Sequence, residues 1–175
     1  MEDNGSVCLV TVDGTDFKIY EPTPFDHKWY SHKFHGPGVR YEVAICIQTG
    51  WIVWTNGPFP CGEWPDLRIA RDWLHSELGY EEKYLADGGY NDGGIYSETP
   101  NGLNNVDQKM KADARARHET VNRRFKQWCI LDRRFRHKPN LHGKVFRAIA
   151  NITQICIEMN EPLFDVEYYD GYDFV

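Results

Sequence analysis

Two acidic residues that lie far apart in the sequence stand at positions suited to metal-ion chemistry. Asp13 follows an apolar, β-branched run that predicts a buried strand, and Asp87 follows a second such run. Ligands of open α/β sheets bind beyond the carboxyl ends of the strands, so neighbouring strands would bring both carboxylates into one site. The two carboxylates would repel each other unless a proton or cation joined them, and hard divalent ions prefer oxygen ligands. The alternative is that each aspartate caps a turn, which is common for an Asp-Gly pair.

A third acidic residue, Glu119, lies on the polar face of a long predicted helix. Its neighbours on that face are Arg115, Asn122 and Lys126. With this residue the chain could present three carboxylates to a pair of metal ions, and the neighbouring side chains could contact a phosphate backbone. The alternative is a surface ion pair between Arg115 and Glu119, four residues apart, which would contribute less than about 1 kcal/mol.

The formal net charge of −6 conceals an uneven distribution along the chain. Residues 115–147 contain eleven Lys and Arg against two acidic residues, whereas residues 148–175 contain six acidic residues and no Lys or Arg. Such a basic block can neutralise phosphates and so bind nucleic acid, although a solvated helix surface is the alternative. Basic and aromatic residues alternate near its end, where we expect phosphate contacts from Arg133, Arg134, Arg136 and Lys138.

The elements that must position these residues follow from the apolar pattern. Residues 7–12 and 83–86 predict strands, residues 41–47 and 51–54 predict a hairpin, and helices are predicted over 65–78, 107–131 and 142–160. A strand–helix–strand crossover attached to a hairpin implies an α/β fold, with a mixed sheet and helices on both faces. This is the pattern of an RNase H-like core, predicted here over residues 1–160, followed by an acidic aromatic tail over 161–175.

Length and composition exclude several classes of protein. A chain of 175 residues can form one domain with a sizeable core. No apolar run approaches the roughly 20 residues of a membrane span, and the polar N-terminus does not resemble a secretory signal. The five cysteines form no C-x-x-C pair, which favours a reducing compartment. We therefore expect a soluble intracellular domain.

Five motifs occur in the order found in Harbinger-type DDE transposases. They are Val12-Asp13-Gly14-Thr15, the stretch 60–66 (PCGEWPD), Ala86-Asp87-Gly88-Gly89-Tyr90, Thr99-Pro100, and the helix 115–126 (RARHETVNRRFK). That helix resembles the family's third-acid helix, with an Arg four residues before the Glu and a Lys seven residues after it. The resemblance covers about residues 7–135. It implies an RNase H-like catalytic core in which Asp13, Asp87 and Glu119 are the catalytic and metal-binding residues.

By the same resemblance, the chain would be a metal-dependent DNA endonuclease and strand transferase acting in the nucleus. It would use two Mg²⁺ or Mn²⁺ ions on double-stranded DNA, at transposon ends and target, and a homo-oligomer is compatible with this activity. Family members usually carry a helical DNA-binding region before the core, whereas the first strand is predicted here from Val7. Three explanations are open, namely a fragment, a decayed copy, or a protein that relies on a separate DNA-binding protein as a partner.

Two other functions are compatible with parts of the sequence. The first is a transposase-derived module that binds DNA or protein without catalysis. The second is a phosphatase of the haloacid dehalogenase type, because Asp13-Gly14-Thr15 matches the end of its nucleophile motif. The nucleophile would then fall at Thr11, which cannot form the aspartyl-phosphate intermediate, so this second function is disfavoured.

Overall fold

The computed structural model describes residues 7–99, 105–159 and 161–167, which form a mixed α/β structure. Its strands are β1 (Val7–Lys18), β2 (Tyr30–Ser31), β3 (Gly36–Cys46), β4 (Ile52–Pro60), β5 (Glu82–Leu85) and β6 (Ser97–Glu98). Its helices are α1 (Asp66–Asp72), α2 (Asn105–Lys126), α3 (Cys129–Asp132) and α4 (Pro139–Met159).

The sheet combines an antiparallel meander with a parallel crossover. Strand β3 pairs antiparallel with β1 on one side and, on the other, with β4 and the short β2. The chain then crosses through α1 to β5, which lies parallel to β1, and β6 lies parallel to β5. The predicted α/β class, hairpin and crossover are confirmed, whereas β2 and β6 had no clear signal because each contains only two residues.

Strand β1 is longer than predicted. The sequence predicted a turn at Asp13-Gly14-Thr15, but these residues pair with Val43, Glu42 and Tyr41 of β3, and β1 continues to Lys18. An Asp-Gly pair favours a turn only when no neighbouring strand supplies hydrogen bonds to the extended backbone. Asp13 therefore lies in the middle of a strand, and its expected position at a strand end was wrong.

Helices on the two faces of the sheet enclose separate parts of the core. On one face, α2 and α4 cover an aromatic and aliphatic cluster that includes Phe17, Tyr41, Phe125 and Phe146. On the other face, α1 and the turns beside it cover a smaller cluster around Val12. Helices therefore cover both faces, as predicted.

Helix boundaries differ from the prediction where the chain changes direction. Helix α2 ends at Lys126 and a separate turn, α3, follows. Trp128, which the helical periodicity of the predicted helix 107–131 places on its core face, is therefore 42% exposed. Helix α1 ends at Asp72, since Trp73 leaves helical geometry (φ −135°, ψ −60°) and a short 3₁₀ turn covers Leu74–Ser76. Periodicity located these helices, but it could not show where packing breaks them.

The described part of the acidic tail packs along α2. Arg124 Nη1 donates to the carbonyl of Glu161 at 2.7 Å, Leu163 is buried, and Val166 packs beside Cys8 and Ala114. Residues 161–167 therefore run back from the end of α2 towards the beginning of β1. Among the described residues, no helix has the length and apolar character needed to cross a bilayer.

Candidate active site

The parallel pairing of β1 with β5 places Asp13 level with Asp87. Thr11 pairs with Leu85, and each aspartate follows two residues later in the chain. Strand β5 ends at Leu85, and Asp87 caps a 3₁₀ turn in which its Oδ1 accepts the Gly89 N–H at 2.8 Å. Asp87 therefore follows a strand end, as predicted.

One cleft joins the three acidic residues that the sequence analysis singled out. It is lined by Thr11, Val12, Asp13, Asp87, Arg115, His118 and Glu119. The acids come from β1, from the turn after β5 and from α2, and are separated by 74 and 32 positions in the sequence. The fold thus brings together the three carboxylates and Arg115 of the predicted site.

Two hydrogen bonds hold α2 against β1 at this cleft. His118 Nδ1 lies 2.8 Å from Thr11 Oγ1, and Asn122 Nδ2 donates to Asp13 Oδ2 at 2.8 Å. Four helical residues rise about 6 Å and two strand residues about 6.6 Å, so successive turns of α2 meet alternate residues of β1. The amide of Asn122, predicted to contact phosphate, is buried on Asp13. His118 carries no signal of its own in the sequence, although its spacing from Asn122 places both on one side of α2.

Burial and neighbouring charges change the pKa of the Asp13 carboxyl. Burial, followed by the charges of Asp87, Asp66 and Glu119, raises the pKa of Asp13 from its ordinary 3.8 to about 6. Lys126 lies one turn beyond Asn122 and its pKa is lowered, chiefly by burial. The site therefore concentrates negative charge that a bound cation would neutralise.

A fourth carboxylate, Asp66, was missed as a site residue although it belongs to one of the quoted motifs. It lies so close to Gly14 that a Cβ atom there would collide with Asp66 Oδ1, and it also approaches Gly89. Arg40 Nη1 lies 3.2 Å from Asp66 Oδ1, while the Nε of the same guanidinium lies 2.7 Å from Asp16 Oδ1. Asp66 therefore lies against both Asp-Gly segments from the α1 side of the sheet.

The carboxylates supply the right donors for Mg²⁺ or Mn²⁺ but do not form a closed cage. Among residues 7–99, 105–159 and 161–167, no three His, Cys, Asp or Glu side chains are grouped so that they could hold one ion. Mg²⁺ is usually bound through one or two carboxylates, with waters and substrate phosphates completing its shell. Oxygen donors around one cleft, with a raised carboxyl pKa among them, fit such an open site.

The end of the basic block forms a groove beyond the end of β1. Phe135 N donates to the carbonyl of Lys18 at 2.9 Å, and Tyr20 N donates to the carbonyl of Phe135 at 3.0 Å, which fixes this segment to the sheet. The groove is lined by Tyr20, Cys129, Ile130, Arg133, Arg134, Phe135, Arg136 and His137. The basic side chains predicted to contact phosphate here are exposed, namely Arg133, Arg134, Arg136 and Lys138.

The groove lies at a definite distance from the acidic cleft. Ile19, which bridges to Phe135, is six residues beyond Asp13, and six residues of strand span about 20 Å. That length corresponds to about six base pairs of duplex DNA at 3.4 Å each.

Comparisons with known protein families, with curated proteins and with solved structures return no match for this chain.

Proposed function

We propose that this chain is the metal-dependent endonuclease and strand-transfer core of a Harbinger-type DDE transposase. The observation that carries the proposal is the convergence of Asp13, Asp87 and Glu119 on one cleft. The meander followed by a parallel crossover, on which the RNase H-like expectation rested, supports it. The proposal rests on this geometry together with the order of the sequence motifs.

Asp13, Asp87 and Glu119 would hold two Mg²⁺ or Mn²⁺ ions. Bound there, the ions would lower the pKa of an attacking water or 3′-hydroxyl and neutralise charge on the leaving oxygen. The protein's own contribution begins with Asn122, whose amide donates to one oxygen of Asp13 and so fixes the orientation of that carboxylate. Arg115, in the wall of the cleft, supplies a cation for a phosphate oxygen beside the acids.

Double-stranded DNA would lie along β1, from the acidic cleft to the basic groove. The scissile phosphate lies at the cleft, and Arg133, Arg134 and Arg136 neutralise phosphates about six base pairs away. Tyr20 and Phe135 fix the groove to the end of β1 through backbone hydrogen bonds. The separation between cutting site and phosphate anchor is therefore set by the length of one strand.

A calorimetric Mn²⁺ titration tests the carboxylate site directly. We expect the wild type to bind about two ions and Asp87→Asn to lose at least one of them, because the amide cannot replace the charged oxygen donor. Asp72→Asn is the matched control, since Asp72 is an exposed aspartate on α1 and should leave the titration unchanged.

Cleavage of supercoiled plasmid in Mn²⁺ provides the functional test. We expect nicking by the wild type and by Asp72→Asn, and none by Asp87→Asn. Absence of Mn²⁺ binding in the millimolar range, both with and without DNA, would contradict the proposal.

A second candidate is a transposase-derived DNA-binding module without catalysis. The basic groove favours it, because the backbone bonds that hold this segment do not involve the acidic residues. This function predicts salt-dependent DNA binding that Asp87→Asn leaves unchanged and that no divalent ion strengthens. The Mn²⁺ titration separates the two candidates.

A further inference from the structure

The imidazole of His118 is an unexplained polar group in the wall of the acidic cleft. The side chain is 2% exposed, and its Nδ1 is bonded to Thr11 Oγ1 at 2.8 Å. Its other ring nitrogen, Nε2, is buried and has no hydrogen-bond partner among the described residues. Buried polar atoms of this kind are usually satisfied by an ordered water molecule.

The cleft beside His118 has room for such a molecule. Its cavity volume is about 10 Å³, close to the ~10–15 Å³ that one water molecule requires. Asp13, Asp87 and Glu119 line the same cleft. The cleft is therefore polar as well as large enough, and these are the two conditions for an ordered water.

The hydrogen bonds around Thr11 indicate that Nε2 of His118 is a hydrogen-bond acceptor. Thr11 Oγ1 lies 3.5 Å from the carbonyl of Ile45, which can accept its hydrogen, so the hydroxyl oxygen can in turn accept the Nδ1–H of His118. The Nε2 atom then carries a lone pair and accepts a hydrogen bond.

We propose that His118 is a positioning residue that holds, through Nε2, the water molecule that attacks the scissile phosphate. This inference rests on the proposed function. In the step, the water oxygen forms a bond to phosphorus and the bond from phosphorus to the 3′ oxygen breaks. One hydrogen of the water ends on the 3′ oxygen, and the other stays on the new 5′-phosphate until solvent takes it. Strand transfer uses a 3′-hydroxyl as nucleophile and needs no such water.

Two substitutions separate the two ring nitrogens. His118→Asn keeps a donor near the Nδ1 position for Thr11 and loses the atom that holds the water. His118→Gln keeps an acceptor near the Nε2 position and loses the bond to Thr11. If His118 has only a structural role, His118→Gln, which loses the bond to Thr11, should be the more damaging substitution. If His118 positions the water, His118→Asn, which loses the Nε2 acceptor, should be the more damaging one.

The assay compares two nucleophiles on one substrate. DNA labelled at its 3′ end is nicked in Mn²⁺ and glycerol, and the labelled product carries a 5′-phosphate after attack by water or a 5′-glyceryl phosphate after attack by the alcohol. We expect His118→Asn to lower the ratio of hydrolysis to alcoholysis about tenfold or more, while His118→Gln stays within about threefold of the wild type. An unchanged ratio in His118→Asn overturns the inference while leaving the endonuclease intact, whereas a wild type that makes neither product overturns the proposed function.

A high-resolution crystal structure of the wild-type chain gives a test that does not depend on the folding of a variant. We expect a water oxygen about 2.7–3.2 Å from His118 Nε2. A cleft that is dry at this nitrogen would overturn the inference even if the chain cleaves DNA.

Discussion

Replacing Asp13 with asparagine should stabilise the metal-free protein at neutral pH. The carboxyl is held among other acids, and its pKa in the folded chain is raised from 3.8 to about 6, first by burial and then by Asp87, Asp66 and Glu119. The folded state therefore binds this proton more tightly than the unfolded state, so the contribution of Asp13 to stability declines as the pH rises from about 4 to about 6. Above pH 6 the loss is complete and constant.

The stability lost when Asp13 ionises follows from its pKa values in the unfolded and folded chain. Each pH unit between them corresponds to about 1.4 kcal/mol, which gives about 3 kcal/mol at pH 7.5. Asparagine carries no charge and still offers an oxygen to the amide of Asn122. For a chain of this size, a gain of about 3 kcal/mol raises Tm by roughly 6–12 °C.

Denaturant unfolding in EDTA, at pH 4 and pH 7.5, measures the effect. We expect Asp13→Asn to match the wild type at pH 4 and to be more stable at pH 7.5. Asp72→Asn is the control, because it removes an exposed charge and should change stability by no more than about 0.5 kcal/mol at either pH. Mn²⁺ should then reverse the order, since an ion at a thousand times its Kd stabilises the wild type by about 4.1 kcal/mol.

Two results would refute the reasoning. If Asp13→Asn is less stable than the wild type in EDTA at pH 7.5, the carboxylate is not destabilised by its surroundings. If its difference from the wild type is the same at pH 4 and pH 7.5, the effect does not come from ionisation.

Three further predictions concern the sheet and the basic groove. Burial raises the pKa of Glu42 to about 8. Glu42→Gln should therefore be as stable as the wild type at pH 4 and become more stable than it as the pH rises from about 4.5 to 8. A stability difference that does not depend on pH in denaturant unfolding would contradict this. Gly14→Ala should destabilise the chain by about 1–3 kcal/mol through collision with Asp66, and Asp66→Ala in the same chain should recover part of the loss; a strictly additive double-mutant cycle would contradict this. Reversing charge at Arg133 and Arg134 should reduce the slope of log Kd against log salt for duplex DNA by about 1 for each phosphate that the protein no longer neutralises; an unchanged slope would place the DNA elsewhere.

Local sequence signals predicted the elements but not how far they extend. The hairpin and the crossover were predictable because apolar runs and helical periodicity are local features. The continuation of β1 through Asp13-Gly14-Thr15 was not, since it depends on hydrogen bonds to β3, some 30 residues later. The break after Lys126 likewise reflects packing, which leaves Trp128 half-exposed where the helical pattern placed it in the core.

Carboxylates that follow apolar runs were easier to identify than the groups that support them. Asp13, Asp87 and Glu119 carried a recognisable pattern and meet at one cleft. Asp66 and His118 carried none, because the significance of each depends on which atoms approach it in the folded chain. An unpartnered ring nitrogen or a carboxylate lying over a glycine is visible only in three dimensions.

The α1 side and the α2 side of the sheet differ in their freedom to adjust. Arg40 bonds Asp16 and Trp64 and pairs with Asp66, so its guanidinium ties β1, β3 and the start of α1 together. On the opposite side, Glu119 is exposed and can change rotamer without disturbing any packed group. Glu119 could therefore turn towards a bound cation by rotation of its own side chain, without movement of the β1, β3 and α1 backbone. Hydrogen exchange of the β1, β3 and α1 amides should accordingly be insensitive to Mn²⁺, apart from the overall gain in stability.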